Sequence, residues 1–175
     1  MPEITKTLIF VGVAAVVGLL AFFLRAPSLE PPQLNIDDKL FGEVEDATVA
    51  ASLEVVRHNA DTGEVERLKV ARDGADWVIA SHDDYPADAS DAEENIHEAA
   101  LTLIDLTIDG RQSESTTDHG EYGVISPESE KVREANDEEI GVLVALEDED
   151  GRALAKLIVG KTVQDNDQQR YVRKD

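Results

Sequence analysis

The sequence predicts an α+β fold in which antiparallel strand meanders pack with one main amphipathic helix, preceded by a single N-terminal transmembrane helix. Three observations lead there. Leu8 to Leu24 is an unbroken apolar run, short alternating segments are separated by turn residues, and one stretch repeats its apolar side chains every three or four positions. The boundaries follow: residues 1–25 form the tail and anchor, 26–47 a Pro-rich acidic stalk, and 48–175 the folded domain.

The run LIFVGVAAVVGLLAFFL carries no charge. As a helix it would extend roughly 26 Å, slightly less than a hydrocarbon core of about 30 Å, and the stems of Lys6 and Arg25 can reach the interfaces. A helix that is apolar on every face needs lipid or a large protein around it, and one domain of this size offers too little packing. The run is also longer than the apolar part of a cleaved signal, and Pro27 stands where a cut after Ala26 would fall. An uncleaved anchor is therefore expected, with the N-terminus in the cytoplasm, the long domain exported, and the protein single-pass in a cell inner membrane. Ala14 and Gly18 form a small-xxx-small pair that could pack two such helices together. Pro31 and Pro32 favour stiff extended backbone just beyond the anchor.

In the domain, Val49 to Arg57 reads as a strand, Asn59 to Gly63 as a turn, and Val65 to Arg72 as the returning strand, with Leu68 and Val70 on one face. Asp73-Gly74 turns the chain into a third strand from Trp77 to Ala80. Ser90 and Glu93 have capping-box spacing, and Ala92, Ile96, Ala99, Ala100, Leu103 and Leu106 form one helical apolar face. The polar run Arg111 to Asp118 reads as a loop, and Pro127 to Glu139 as a charged loop or short exposed helix. Val142 to Leu146 and Ala153 to Val159 flank the turn EDEDG and make a second hairpin.

Several of these segments resemble one family. Tryptophan in a short strand followed by YPAD (Tyr85 to Asp88) and a helix, then EYGVISP (Glu121 to Pro127), GRALAKLIVGKTV (Gly151 to Val163) and QRYVRK (Gln169 to Lys174), are similar in order and spacing to the bacterial domain-of-unknown-function 4340 family. The resemblance runs from about Val49 to the end. It implies an N-terminal membrane helix with an exported domain, and paired strands that end in a Gly-Lys turn and a Tyr-Val-Arg strand. It also implies a C-terminally truncated domain, since members usually continue into one more strand. Similar domains accompany auxiliary components of ABC-type export and gliding systems, and the resemblance implies no activity.

Charge narrows the partners. Thirty-eight acids against 16 bases give −22 at pH 7, and the first 25 residues contribute +1. The remainder repels nucleic-acid phosphates and anionic headgroups, so no nucleic-acid partner is expected. With no cysteine there is no disulfide, thiolate metal site or cysteine nucleophile.

No catalytic, cofactor or metal residue is nominated. His82, Asp83 and Asp84 precede the helix while His97 lies two turns inside it, and the H-E-x-x-H spacing of a zinc site is missing. In EDEDG, Asp148, Asp150 and Gly151 match positions three, five and six of a calcium loop, but Leu146 and Leu157 fall at positions one and twelve, where neither can ligate. DNDQQ, Asp165 to Gln169, lacks the glycine and closing glutamate. His58, His82, His97 and His119 fall in unrelated contexts, and there is no G-x-S-x-G elbow or phosphate loop. Trp77 and Tyr122 are expected in the core, and His119 as a solvated loop residue.

Two function classes remain. One is a membrane-tethered extracytoplasmic domain that scaffolds or binds an envelope protein, as an auxiliary part of an envelope or ABC-type transport assembly. The alternative is a cation-dependent binding protein or hydrolase using dispersed surface carboxylates. The sequence leaves the oligomeric state open.

Overall fold

The computed structural model of the chain describes residues 38–44 and 46–175. The expected anchor at Leu8 to Leu24 and most of the expected stalk lie outside these residues. Among the described residues, no helix is long and apolar enough to cross a membrane.

Seven strands form one antiparallel sheet in the order β4-β3-β2-β1-β5-β6-β7. They are β1 (Ser52–Asn59), β2 (Glu64–Asp73), β3 (Asp76–Ile79), β4 (Tyr85–Pro86), β5 (Val142–Glu147), β6 (Ala153–Val163) and β7 (Asn166–Lys174). The meander and the second hairpin are both present, and the pairing of Ser52 to Val56 with Glu147 to Leu143 fuses them into a single sheet. Local pattern could not specify that join, because it links residues nearly a hundred positions apart.

Among the described residues one α-helix, α1 (Ala89–Ile104), covers part of one sheet face. It buries Ile96, Ala100, Leu103 and Ile104 against Trp77, Leu146, Ala155 and Leu157. Each of the larger of these, Ile96, Leu103, Ile104, Leu146 and Leu157, contributes about 1.5–3 kcal/mol through loss of apolar surface to water. The helix starts earlier than the capping-box reading places it. The amide of Ala92 bonds the carbonyl of Asp88, which makes Asp88 the N-cap and puts Ser90 inside the first turn. The cause is tertiary: Ala87 donates to the carbonyl of Trp77 at 2.9 Å, so β3 sets where the chain turns into the helix.

The folded unit also reaches further back than residue 48. Leu40 donates to Leu106 at 2.8 Å, Ile108 donates to Asp38 at 2.9 Å, and Phe41 is only 4% exposed within the main core. Residues 38–44, with Asp46 and Ala47, therefore belong to the folded unit, Phe41 and Ala47 lying in its main core. Their acids disguised this, because Asp38, Glu43 and Asp46 are interleaved with Leu40, Phe41, Val44 and Ala47.

The opposite sheet face holds a smaller core of Val56, Val124, Leu143 and Ile158, with Tyr122 and Tyr171 packed against it at a ring separation of 4.8 Å. The loop carrying EYGVISP closes this face. Gly123 has φ +68°, and a Cβ there would meet the Glu138 carbonyl at 2.9 Å. Gly160 is needed for a different reason, because a Cβ on it would lie 2.4 Å from the Tyr122 carbonyl oxygen. The Lys161 amide donates to that same oxygen at 3.0 Å. The implied Gly-Lys turn is thus corrected: Gly160-Lys161 lies within β6, where the pairing with β7 shifts register, and the reversal falls at Gln164-Asp165 with Asp165 at φ 66°. Between Arg111 and Asp118 there is no strand or helix, and Pro127 to Glu139 contains two short 3-10 turns, Glu130–Arg133 and Asp137–Glu139.

Candidate functional site

The helix-side cleft brings together residues that were weighed separately in the sequence. It is a cavity of about 430 Å³ bounded by Thr48, Arg72, Trp77, Glu93, Glu94 and His97. Arg72 and Trp77 are directly opposite each other in β2 and β3 and project on the helix face. The guanidinium stacks over the indole at 5.0 Å and reaches Glu149 at 3.3 Å and Glu93 at 3.5 Å. Trp77 is a core residue, as expected, and its ring also forms the cleft wall. The Arg72 charge is shared between two carboxylates, so the cleft has the character of a mixed-charge surface recess.

On the other face, the sheet carries a network of paired ions. Arg67 donates to Glu54 at 2.6 Å and also bonds Glu128 of the covering loop. Lys69 donates to Glu147 at 2.6 Å, and Ser52 adds a bond to the same carboxylate at 3.1 Å. The Lys69 bond, outweighing burial, holds the Glu147 carboxyl below its ordinary range. Lys156 and Arg173 converge on Asp175 at 2.7 and 2.8 Å, and the Lys156 bond likewise lowers Asp175. Arg173 also donates to Nδ1 of His119 at 2.8 Å. His119 is therefore half-buried and paired, contrary to the solvated loop expectation, and its partner lies 54 residues away where no local motif could reveal it. Accepting at Nδ1 places the neutral imidazole's proton on Nε2. Burial, reinforced by Arg173 and Lys131, depresses its pKa.

The remaining ionisable motifs are structural. Asp83 and Asp84 both have positive φ and make the tight turn from β3 to β4, with Tyr85 donating back to His82. Asp148 caps its own turn, accepting from the amides of Asp150 at 2.9 Å and Arg152 at 2.8 Å, while Gly151 takes φ +75°. His58 faces Asp137 at 3.3 Å, and His82 contacts the Ser81 hydroxyl at 2.9 Å. The four histidines thus occupy a strand, a turn, the helix and a loop. Among the described residues, no three His, Asp or Glu side chains are grouped to hold a metal ion.

A third surface was not singled out in the sequence. On the helix side of the sheet, in rows that run into the core packed against α1, Leu68, Val142 and Val172 remain 48%, 37% and 40% exposed. Register places Leu68 beside Val55 and Val144, in the row that ends at the fully buried Leu157, and Val142 in the adjacent row beside Val159 and Val172, so the three exposed side chains border half-buried valines. The sequence placed Leu68 with Val70 on one strand face, but how much of that face the helix covers is not readable from alternation.

A family model described as "Domain of unknown function (DUF4340)" matches residues 77–175, more than half of the chain. No curated protein and no solved structure matches the chain.

Proposed function

Starting from the fact that the chain belongs to the DUF4340 family, we propose that it is a membrane-tethered extracytoplasmic domain that binds or scaffolds another envelope protein. The apolar strip of Leu68, Val142 and Val172 carries this reading, since contiguous apolar surface left beside a packed core is what protein interfaces cover. The ionic network supports it as well. Its acids and bases neutralise one another across the sheet, an arrangement that stiffens a surface. Tethering rests on the sequence run Leu8 to Leu24, with the N-terminus cytoplasmic and the domain outside an inner membrane. An auxiliary place in an envelope or ABC-type transport assembly accords with a tethered module of this kind.

The test is purification of the full chain from detergent-solubilised membranes. A stoichiometric protein partner that is lost on Leu68→Asp or Val142→Asp is the expected result. Calcium-dependent thermal stabilisation with no co-purifying partner would overturn the reading in favour of a carboxylate-based cation binder or hydrolase. Release of the protein by carbonate washing would overturn the tether.

A further inference from the structure

The segment that follows α1 is pinned to β7 at two places. Near its start the Gln169 side-chain amide donates to Asp109, and at its end Arg173 donates to Nδ1 of His119 at 2.8 Å. Gln169, Tyr171 and Arg173 are half-buried at alternate positions of β7, and Tyr171 packs on Tyr122 just beyond the second pin. Between the pins, residues 110–117 are exposed. Their side-chain bonds stay within the segment: Arg111 with Glu114, Ser113 with Asp118, and Ser115 with Thr117. Among the described residues they form a strap whose side chains are tied to the sheet at its ends.

The second pin holds only while His119 is neutral. Arg173 can only donate, so Nδ1 must accept, and a protonated imidazole has no lone pair to offer. Protonation removes the bond and sets two cations against each other. The surroundings supply no remedy. Lys131, in the 3-10 turn Glu130–Arg133, adds further positive charge. The neighbouring carboxylate, Asp118, already accepts from Ser113 and Thr117 on its two oxygens, bonds that hold it below its ordinary range and so ionised at neutral and mildly acid pH. Arg173 is fixed from its other side by Asp175, which Lys156 also bonds. The strap is therefore the weaker-held partner. Its release has a boundary at Gly120, because Lys161 Nζ donates to the carbonyls of Gly120 and Glu121 at 3.3 and 3.0 Å, and Val124 lies in the second core.

We propose that His119 is an acid-operated catch, whose protonation releases residues 110–119 from β7 while the sheet and the turn at Tyr122 to Val124 stay in place. Release uncovers Arg173 and the half-buried face of β7. Linkage gives the same sign. Burial and Arg173 hold His119 below 6.5 in the closed strap, so the open strap takes up the proton more readily and acid favours it. With an ordinary imidazole in the open form, the open-to-closed ratio rises by at most about tenfold between pH 7.5 and 5.5. The inference goes beyond the protein-binding reading and does not depend on it.

The chain has no cysteine, so T116C and Q168C, at exposed positions with no side-chain bond among the described residues, place spin labels on the strap and on β7. Double electron–electron resonance on the full chain in detergent micelles should give one distance population at pH 7.5. A second, longer population should grow threefold or more by pH 5.5 and vanish on return to pH 7.5. His119→Gln keeps an acceptor without titrating and should hold the short distance at both pH values. His119→Lys sets a permanent cation against Arg173 and should show the long distance at both. Arg173→Gln can pair with either form of the imidazole, so its distances should not respond to pH. A wild type without the acid-induced population, or a His119→Gln protein that opens as the wild type does, would overturn the proposal. So would a His119 imidazole that titrates at or above 6.5 by NMR, or opening that coincides with a change in Trp77 fluorescence, which would mark global unfolding. Should a variant not fold, the wild-type distances and the imidazole titration decide the matter alone. Capture of an envelope partner does not involve His119, so failure of the catch leaves the scaffold reading standing.

Discussion

Replacing Gly160 by alanine would add one methyl group where β6 meets the loop that closes the second sheet face. The new Cβ would sit 2.4 Å from the Tyr122 carbonyl oxygen, 2.7 Å from a Val124 methyl and 2.9 Å from the Gly123 carbonyl. Two of these are backbone atoms, so no side-chain rotation relieves the clash and the loop must lift. Overpacking of this kind costs about 1–3 kcal/mol. Lifting also weakens the Lys161 amide bond to Tyr122, worth about 1 kcal/mol, and part of the burial of Val124. The expected loss is about 3 kcal/mol, or roughly 6–12 °C in Tm for a domain of this size. Urea unfolding followed by the fluorescence of Trp77, the single tryptophan, reads it directly. Gly110→Ala is the control, because nothing lies within 4 Å of a Cβ there; it should be neutral or slightly stabilising. Adding Val124→Ala to Gly160→Ala should not restore stability, since the carbonyl clash persists. A Gly160→Ala protein within about 0.5 kcal/mol of wild type, comparable to an ordinary surface change, would refute the close-approach argument.

Phe41→Ala should cost about 3 kcal/mol in the same assay, since an aromatic ring leaves the core; a spacer residue would show no change. Glu147→Gln should lose about 1 kcal/mol, because Lys69 keeps an acceptor but loses its counter-charge at a half-buried site. Acidification should remove stability through three groups of the same sign. His119 titrates lower in the folded chain than its ordinary 6.5, so the unfolded chain takes up the proton first, and the stability present above pH 6.5 declines as pH falls toward the folded value. Glu147 and Asp175 act likewise below their ordinary 4.5 and 3.8, their contribution being lost as pH drops through the depressed folded values. Between pH 7.5 and 5, Tm of the wild type should fall relative to His119→Gln, which keeps an acceptor for Arg173 without a titrating proton; parallel Tm curves would contradict the His119–Arg173 pairing.

The legible parts of the fold were those with short-range causes. Gly63 and Gly74, both with positive φ, made the turns of the first meander visible. The three-and-four spacing from Ala92 to Leu106 located the helix and its buried face, although the neighbouring strand moved its start. The candidate surfaces were harder to see. Arg72 and Trp77 met through strand register, and His119 found Arg173 across the loop and sheet. Gly160 looked like a turn residue because its sequence context resembles one, whereas its real requirement is the approach of a carbonyl from another segment.

By itself the sequence determined the membership of the elements: alternation and helical periodicity are set by which side chains can reach one face of a local backbone, and turns by which residues tolerate positive φ. The tertiary structure decided what those elements share. It joined β1 to β5, drew Leu40, Phe41, Val44 and Ala47 into the core, and left Leu68, Val142 and Val172 partly exposed among the described residues. These outcomes depend on long-range backbone pairing and on how much area a single helix can shield, quantities that arise only when distant segments compete for the same sheet.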